Sequence, residues 1–312
     1  MDEMIKIILQ SGRSGIELAL YVLLPVLVIM MALMKVLEAR GVLIFVARIL
    51  RPWLKLFGVP GAGAFAIVQM LLVSFAAPLA TLSIMEKDGT SKRQISATLA
   101  MILTLSQANV VFPMVSVGLN LGVIMLTSLI GGLVAAALTY YYFARSADSA
   151  PCTETGFVPP VTDGRKSTIL NLMIIGGQEA VQVIIGTIPM LILAIFLVNI
   201  LKSIGAINQL EIFLAPLFNL LGFPLVAVMP LATKYLAGGT AMMGVTINLL
   251  KEGAISVQEL NRMAGFITNP CDIVGVAVLI SAGNRCASVA RPAIAGAIVG
   301  IMIRGILHLL IF

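Results

Sequence analysis

The chain has 312 residues, 60% of them hydrophobic and 11% charged, with a net charge of +6 and a mean hydropathy of +1.08. A soluble domain carries roughly 25% charged residues, so a surface this apolar is stable only where lipid covers most of it. The Lys and Arg residues are scattered between apolar runs with no aromatic stacking surface, which excludes nucleic acid as a partner. One histidine (His308) and three scattered cysteines exclude a zinc-ligand cluster and a disulfide framework.

In chain order, residues 1–13 contain Asp2 and Glu3 and lack the long apolar core of a cleavable signal. The first membrane helix is therefore expected to act as its own insertion signal. A short amphipathic piece precedes a long apolar helix over residues 17–37, with Pro25 as a kink. Residues 42–57 are amphipathic, and their Arg48, Arg51, Trp53 and Lys55 suit a helix lying in the headgroup layer. An apolar segment follows over residues 65–85, with a small-residue centre at Ser74-Phe75-Ala76-Ala77-Pro78. A charged turn, Lys87-Asp88-Gly89, and two further apolar segments complete the half, the last over residues 122–143. Residues 144–167, with Pro159-Pro160, read as a polar linker.

The remainder repeats this order. A shift of 164 brings Leu24-Pro25 onto Ile188-Pro189, Gly41 onto Gly205, Pro52 onto Pro216, Gly58 onto Gly222, Pro60 onto Pro224 and Lys87-Asp88-Gly89 onto Lys251-Glu252-Gly253. After a one-residue insertion, Ser116 and Gly118 fall on Ser281 and Gly283. The expected organisation is a first repeat over 1–143, a cytoplasmic linker over 144–167 and a second repeat over 168–312.

The small-residue segment decides the architecture. If it spans, each half crosses the membrane four times and the repeats are parallel. If it enters and returns, each half crosses three times and the repeats are inverted. Pro78 in the first half and Gly238-Gly239 in the second are natural helix-breaking points. Charge counting also separates the models. Lys234 and Arg304 lie inside apolar segments and are set aside; the other Lys and Arg then divide ten to eight across the membrane if the segment spans, and thirteen to five if it returns. The second division orients a protein. The expected fold is therefore an all-α polytopic membrane protein of two inverted repeats. Each has about three membrane-spanning helices, a re-entrant helical hairpin and an interfacial amphipathic helix, and both termini lie outside.

Polar groups interrupt apolar helices at equivalent depths. Thr104, Ser106, Gln107 and Asn109 do so in the first half, and Thr268, Asn269 and Asp272 in the second, with Gln107 matching Asp272 at a shift of 165. The Asn269-Pro270 step frees a carbonyl, which a membrane tolerates only against protein or a water-filled cavity. An intramembrane carboxylate is costly and points to function. These residues, with Ser74, Lys234, Gly238, Gly239 and Thr240 at the hairpin tips, form the candidate substrate or ion site. Alternatively, Gln107, Asn109 and Asn269 are interhelical hydrogen-bond glue. Lys234 either pairs with Asp272 or snorkels to the interface, and Arg304 and His308 are expected to snorkel. No catalytic or metal-ligating set emerges.

Each half resembles the Gate, or nucleoside-recognition, domain. That domain is shared by concentrative nucleoside transporters, the membrane part of bacterial ferrous-iron transporters and bacterial spore maturation membrane proteins. The resemblance rests on the Leu24-Pro25 and Ile188-Pro189 helices and on the Gly58-Val59-Pro60 and Gly222-Phe223-Pro224 turns. It rests also on the hairpins closed by Lys87-Asp88-Gly89 and Lys251-Glu252-Gly253, and on the Gln107/Asn109 and Asn269-Pro270 breaks. It implies an inverted-repeat core in which hairpins meet broken helices near mid-membrane. No Gly-x-x-x-x-Gly-Lys-[Ser/Thr] loop is present, so the GTPase of an iron transporter is not in this sequence. The expected function is a transporter or permease for a small polar solute or ion in the cell (inner or plasma) membrane, not an enzyme. The rival reading is a membrane scaffold or assembly partner. The expected partners are the lipid bilayer, the small-molecule or ion substrate, and optionally further copies of the chain in a homo-oligomer. No cofactor is required, and Asp272 admits Na+ or H+ as a coupling cation.

Overall fold

The structure is a computed structural model that describes residues 2–147, 168–223 and 225–312. Most of the linker, residues 148–167, lies outside these. All regular structure among the described residues is helical. Among the described residues, five helices are long and apolar enough to cross a membrane: Met4–Ala39, Lys92–Val115, Leu121–Phe143, Ile169–Leu201 and Ala290–Ile311.

The first helix runs as α1 (Asp2–Glu17), a π-helical turn (Leu18–Leu23) and α2 (Leu24–Ala39) without a break. The amphipathic start is therefore continuous with the apolar helix and not a separate piece. Pro25 lacks an amide proton, and the helix widens just before it, where Leu24 N–H donates to Ala19 O. In the second half α9 (Ile169–Ser203) likewise runs unbroken through Pro189. It packs along α2, where a Cβ on Gly176 would stand 2.6 Å from Met31 O and Lys35 bonds Glu179 at 2.5 Å.

Gly41 and Gly205 each turn the chain in the left-handed region before an amphipathic helix, α3 (Val42–Leu56) and α10 (Ala206–Leu221). On α3, Leu43, Ala47 and Leu54 face the protein, while Phe45, Ile49, Trp53 and Leu56 form an exposed apolar face at helical spacing. Such a face suits the headgroup boundary.

Next comes α4 (Gly61–Leu72), a break, and α5 (Pro78–Lys87). Thr81 donates to Gln69 Oε1 at 2.7 Å. A continuous helix would hold those residues about 18 Å apart, so the chain turns back on itself at residues 73–77. Glu86 holds the base of this hairpin by accepting from Arg285 N at 3.1 Å and Cys286 N at 3.3 Å. The second half has the same reversal inside α11 (Val228–Lys251), where Gly238 is non-helical at φ 85°, ψ 177°. Met229 and Val245 line one cavity of about 150 Å³, although a straight helix would separate them by about 24 Å.

Two broken helices cross the core: α6 (Lys92–Thr104) with α7 (Ala108–Val115), and α12 (Val257–Ile267) with α13 (Ile273–Ile280). Ser91 and Ser256, equivalent at the shift of 165, cap α6 and α12. Every residue of α6 from Ile95 to Thr104 is buried. The ring around it includes α8 (Leu121–Leu138), the short α14 (Asn284–Ser288) and α15 (Ala290–Ile311). Helices α8 and α15 approach closely because both present glycine, and a Cβ on Gly300 would stand 2.5 Å from Gly131 O.

Candidate functional site

The breaks in the two core helices meet each other. Helix α6 stops at Thr104 because Leu105, Ser106 and Gln107 turn extended or irregular before α7 begins. The backbone N–H of Gln107 donates to Thr268 O at 2.9 Å, and its side-chain Nε2 donates to Asn269 O at 2.8 Å. Thr268 O and Asn269 O, which the Asn269-Pro270 break leaves without helical partners, are thus satisfied by the opposite break, as burial in a membrane protein requires. Ser106 Oγ lies 2.6 Å from Ser128 Oγ and 3.2 Å from Thr268 Oγ1.

Both hairpin tips reach this crossing. Asn109 Oδ1 accepts from Phe75 N in the first tip at 3.4 Å, next to half-buried Ser74. In the second tip Gly239 lies against Gln107, and an added Cβ would stand 2.9 Å from its Nε2. Gly238 faces Asp272, whose Oδ1 would be 3.7 Å from such a Cβ. Thr240 follows, half-buried. Asp272 caps α13 by accepting from Gly275 N at 2.7 Å, and its other oxygen accepts from Lys234 Nζ. Both members of that pair are buried.

Of the residues singled out in the sequence, Ser106, Gln107, Asn109, Lys234, Gly238, Gly239 and Asp272 therefore converge through side chain or backbone. Thr104 and Asn269 are present mainly through their backbone, and Thr268 through both its carbonyl and its hydroxyl. The Thr104 hydroxyl donates to Ala100 O, that of Thr268 to Ala264 O, and the Asn269 amide donates to Phe266 O and accepts from Cys271 N. Lys234 does not snorkel; it pairs with Asp272.

Arg304 and His308 correct the sequence reading. Neither snorkels, and both are completely buried. Arg304 Nη1 donates to Thr104 O at 2.7 Å, while Nη2 donates to Ser106 Oγ at 2.7 Å and to Thr268 Oγ1. The guanidinium thus staples the ends of α6 and α12, where carbonyls carry partial negative charge. His308 Nδ1 donates to Asn261 O at 2.6 Å, and Nε2 lies 2.9 Å from Thr127 Oγ1. The physical reason is helical register. Gly296, Gly300, Arg304 and His308 recur every four residues and share the face that α15 turns inward.

What the arrangement offers is a buried polar layer lined by amides, hydroxyls and one ion pair, bounded by four backbone breaks. Such breaks are stable in a membrane protein because they line protein or a cavity.

Residues 20–126 match the Gate family model, described as nucleoside recognition. Spore maturation protein B of Bacillus subtilis (strain 168) is 32% identical over 75 residues. That stretch is 24% of this chain and 42% of that protein, so the match spans less than half the relative's length. Among solved structures, an outward-facing variant of the concentrative nucleoside transporter CNTnw aligns with a TM-score of 0.69 at 17% identity, over 92% of this chain and 74% of that one. CNTnw in an inward-facing substrate-bound state gives 0.68 at 18%, over 92% and 74%. At these identities the likeness is one of fold. The Gate resemblance read from the residues thus holds as a family-model match over residues 20–126, within an all-helical membrane fold shared with the transporter CNTnw.

Proposed function

We propose that this chain is a secondary transporter of the cell membrane that moves a small polar solute, and that its site is the crossing of the two breaks with the two hairpin tips. The observation that supports it most is the contact of Gln107 with both Asn269 O and the Gly239 tip. One amide joins the first broken helix, the second broken helix and the second hairpin. In transporters built from repeats, substrate sites lie near mid-membrane between discontinuous helices. The proposed organisation is two inverted Gate-like repeats, 1–143 and 168–312, around a cytoplasmic linker at 144–167. Rocking of one unit against the other would open the crossing to each side in turn. In this reading amides and hydroxyls orient a polar solute, and the Lys234–Asp272 ion pair holds a hairpin in place.

The test is ligand-dependent thermal stabilisation of the protein in lipid nanodiscs, with nucleosides, amino acids, organic anions and metal ions as probes. A ligand at 100 times its Kd stabilises by about 2.7 kcal/mol. One class is expected to raise Tm in the parent and to lose that effect in Gln107→Ala. If no class does so, and proteoliposomes take up none of them, the proposal fails. The scaffold reading, to which the short match with spore maturation protein B lends weak support, then takes its place. It predicts that Asp272→Asn changes stability alone.

A further inference from the structure

Asp272 is the one Asp or Glu that is buried among the described residues, and both its oxygens are engaged. Oδ1 takes Gly275 N–H at the start of α13. Oδ2 takes the ammonium of Lys234, which hangs from the first arm of the second hairpin, four residues before the reversal at Gly238. The pair therefore ties a hairpin arm to a helix break. The equivalent places in the first half, at shifts of 164 and 165, hold Met70 and Gln107. Met70 is buried and apolar, and Gln107 makes its bond across the crossing without charge. The two tips are thus docked by different chemistry, and one of them needs a cation.

That cation belongs to the chain. A buried carboxylate is tolerated when paired and is strongly destabilising when left alone, so an intramembrane Asp is found paired with a cationic group or on an ion or proton path. Here the ammonium already occupies Oδ2. Arg304, also fully buried, lies in the same polar layer, where it donates to Ser106 and Thr268. The three buried charges sum to +1, and a bound metal ion would add a second net positive charge to a layer that already carries one. We propose that Lys234 is a tethered counter-ion standing where a coupling cation would sit, so that the second hairpin docks on α13 without sodium. The inference deepens the transporter reading by fixing which ion the site does without. Its test reads stability and not flux, so the two can fail separately.

The experiment uses the full chain in nanodiscs and compares thermal unfolding in sodium chloride with choline chloride at equal ionic strength. The parent is expected to unfold at the same temperature in both. Lys234→Ala is expected to unfold several degrees lower and to regain stability, saturably, with methylammonium. The double variant Lys234→Ala/Asp272→Asn, which has no buried charge to match, is expected to be more stable than the single variant and indifferent to methylammonium. Saturable stabilisation of the parent by sodium overturns the proposal. So does a Lys234→Ala protein that ignores methylammonium. If Lys234→Ala does not fold, recovery of folded protein in the double variant supports the proposal, and failure to recover it overturns it.

Discussion

Replacing Arg304 by Met probes how the two broken helices are held together. The guanidinium is fully buried and donates to Thr104 O, Ser106 Oγ and Thr268 Oγ1. Met fills similar volume but donates nothing. Thr104 O, the last carbonyl of α6, is then left buried and unsatisfied, at a cost of about 1–3 kcal/mol. Ser106 keeps Ser128 and Thr268 as neighbours, so its lost bond costs about 1 kcal/mol. Loss of a cation from two helix C-termini adds about 0.3–1 kcal/mol each. Against these stands relief from burying a charge without a carboxylate partner, which brings the expected net loss to about 2–4 kcal/mol. Arg304→Lys keeps the charge but not the planar fork, and should lose about half as much. Reversible unfolding in mixed detergent gives the totals, and hydrogen exchange at residues 105–107 localises them. An Arg304→Met protein as stable as the parent would refute the reasoning, because the desolvation penalty would then equal everything the staple contributes.

Two further changes address the hairpins. Gly238→Ala places a Cβ at φ 85°, ψ 177°, a region that is essentially glycine-only, at about 1–3 kcal/mol; thermal unfolding should fall accordingly, and an unchanged Tm would mean that the second tip is not built as described. Glu86→Gln weakens the two backbone N–H bonds at Arg285 and Cys286 by about 1–2 kcal/mol, since charge-assisted bonds are roughly twice as strong as neutral ones. Faster hydrogen exchange along α5 with unchanged exchange in α8 is the expected signature, and uniform exchange would contradict it.

Much of this was legible in the residues for simple reasons. Apolar length marks membrane helices whatever the tertiary fold, and Asn269-Pro270 or a run such as Ser106-Gln107 cannot continue an apolar helix without stranding polar groups. The Lys234–Asp272 pair was half legible, because an intramembrane acid calls for a base but spacing does not name it. Three features resisted. The π-helical turn before Pro25 and the unbroken start of the first helix depend on how a long helix absorbs one missing donor. The grip of Glu86 on Arg285 and Cys286 joins residues about 200 apart and leaves no local signal. Arg304 and His308 look like terminal snorkelling groups when judged by position along the chain. Their four-residue register with Gly296 and Gly300 is the signal that places them inside, because close-packing glycines mark the face α15 turns toward α8.

The first tip meets the crossing only because the chain reverses at residues 73–77 and returns to the side it entered from. Single cysteines at Arg40 and Lys87, both exposed, report on this through an impermeant maleimide added to sealed, oriented vesicles, with the parent protein as background. Labelling of both positions from the same side is predicted. Labelling from opposite sides would mean that α4 and α5 together cross the bilayer, and the crossing at Gln107 would then have no first tip to meet.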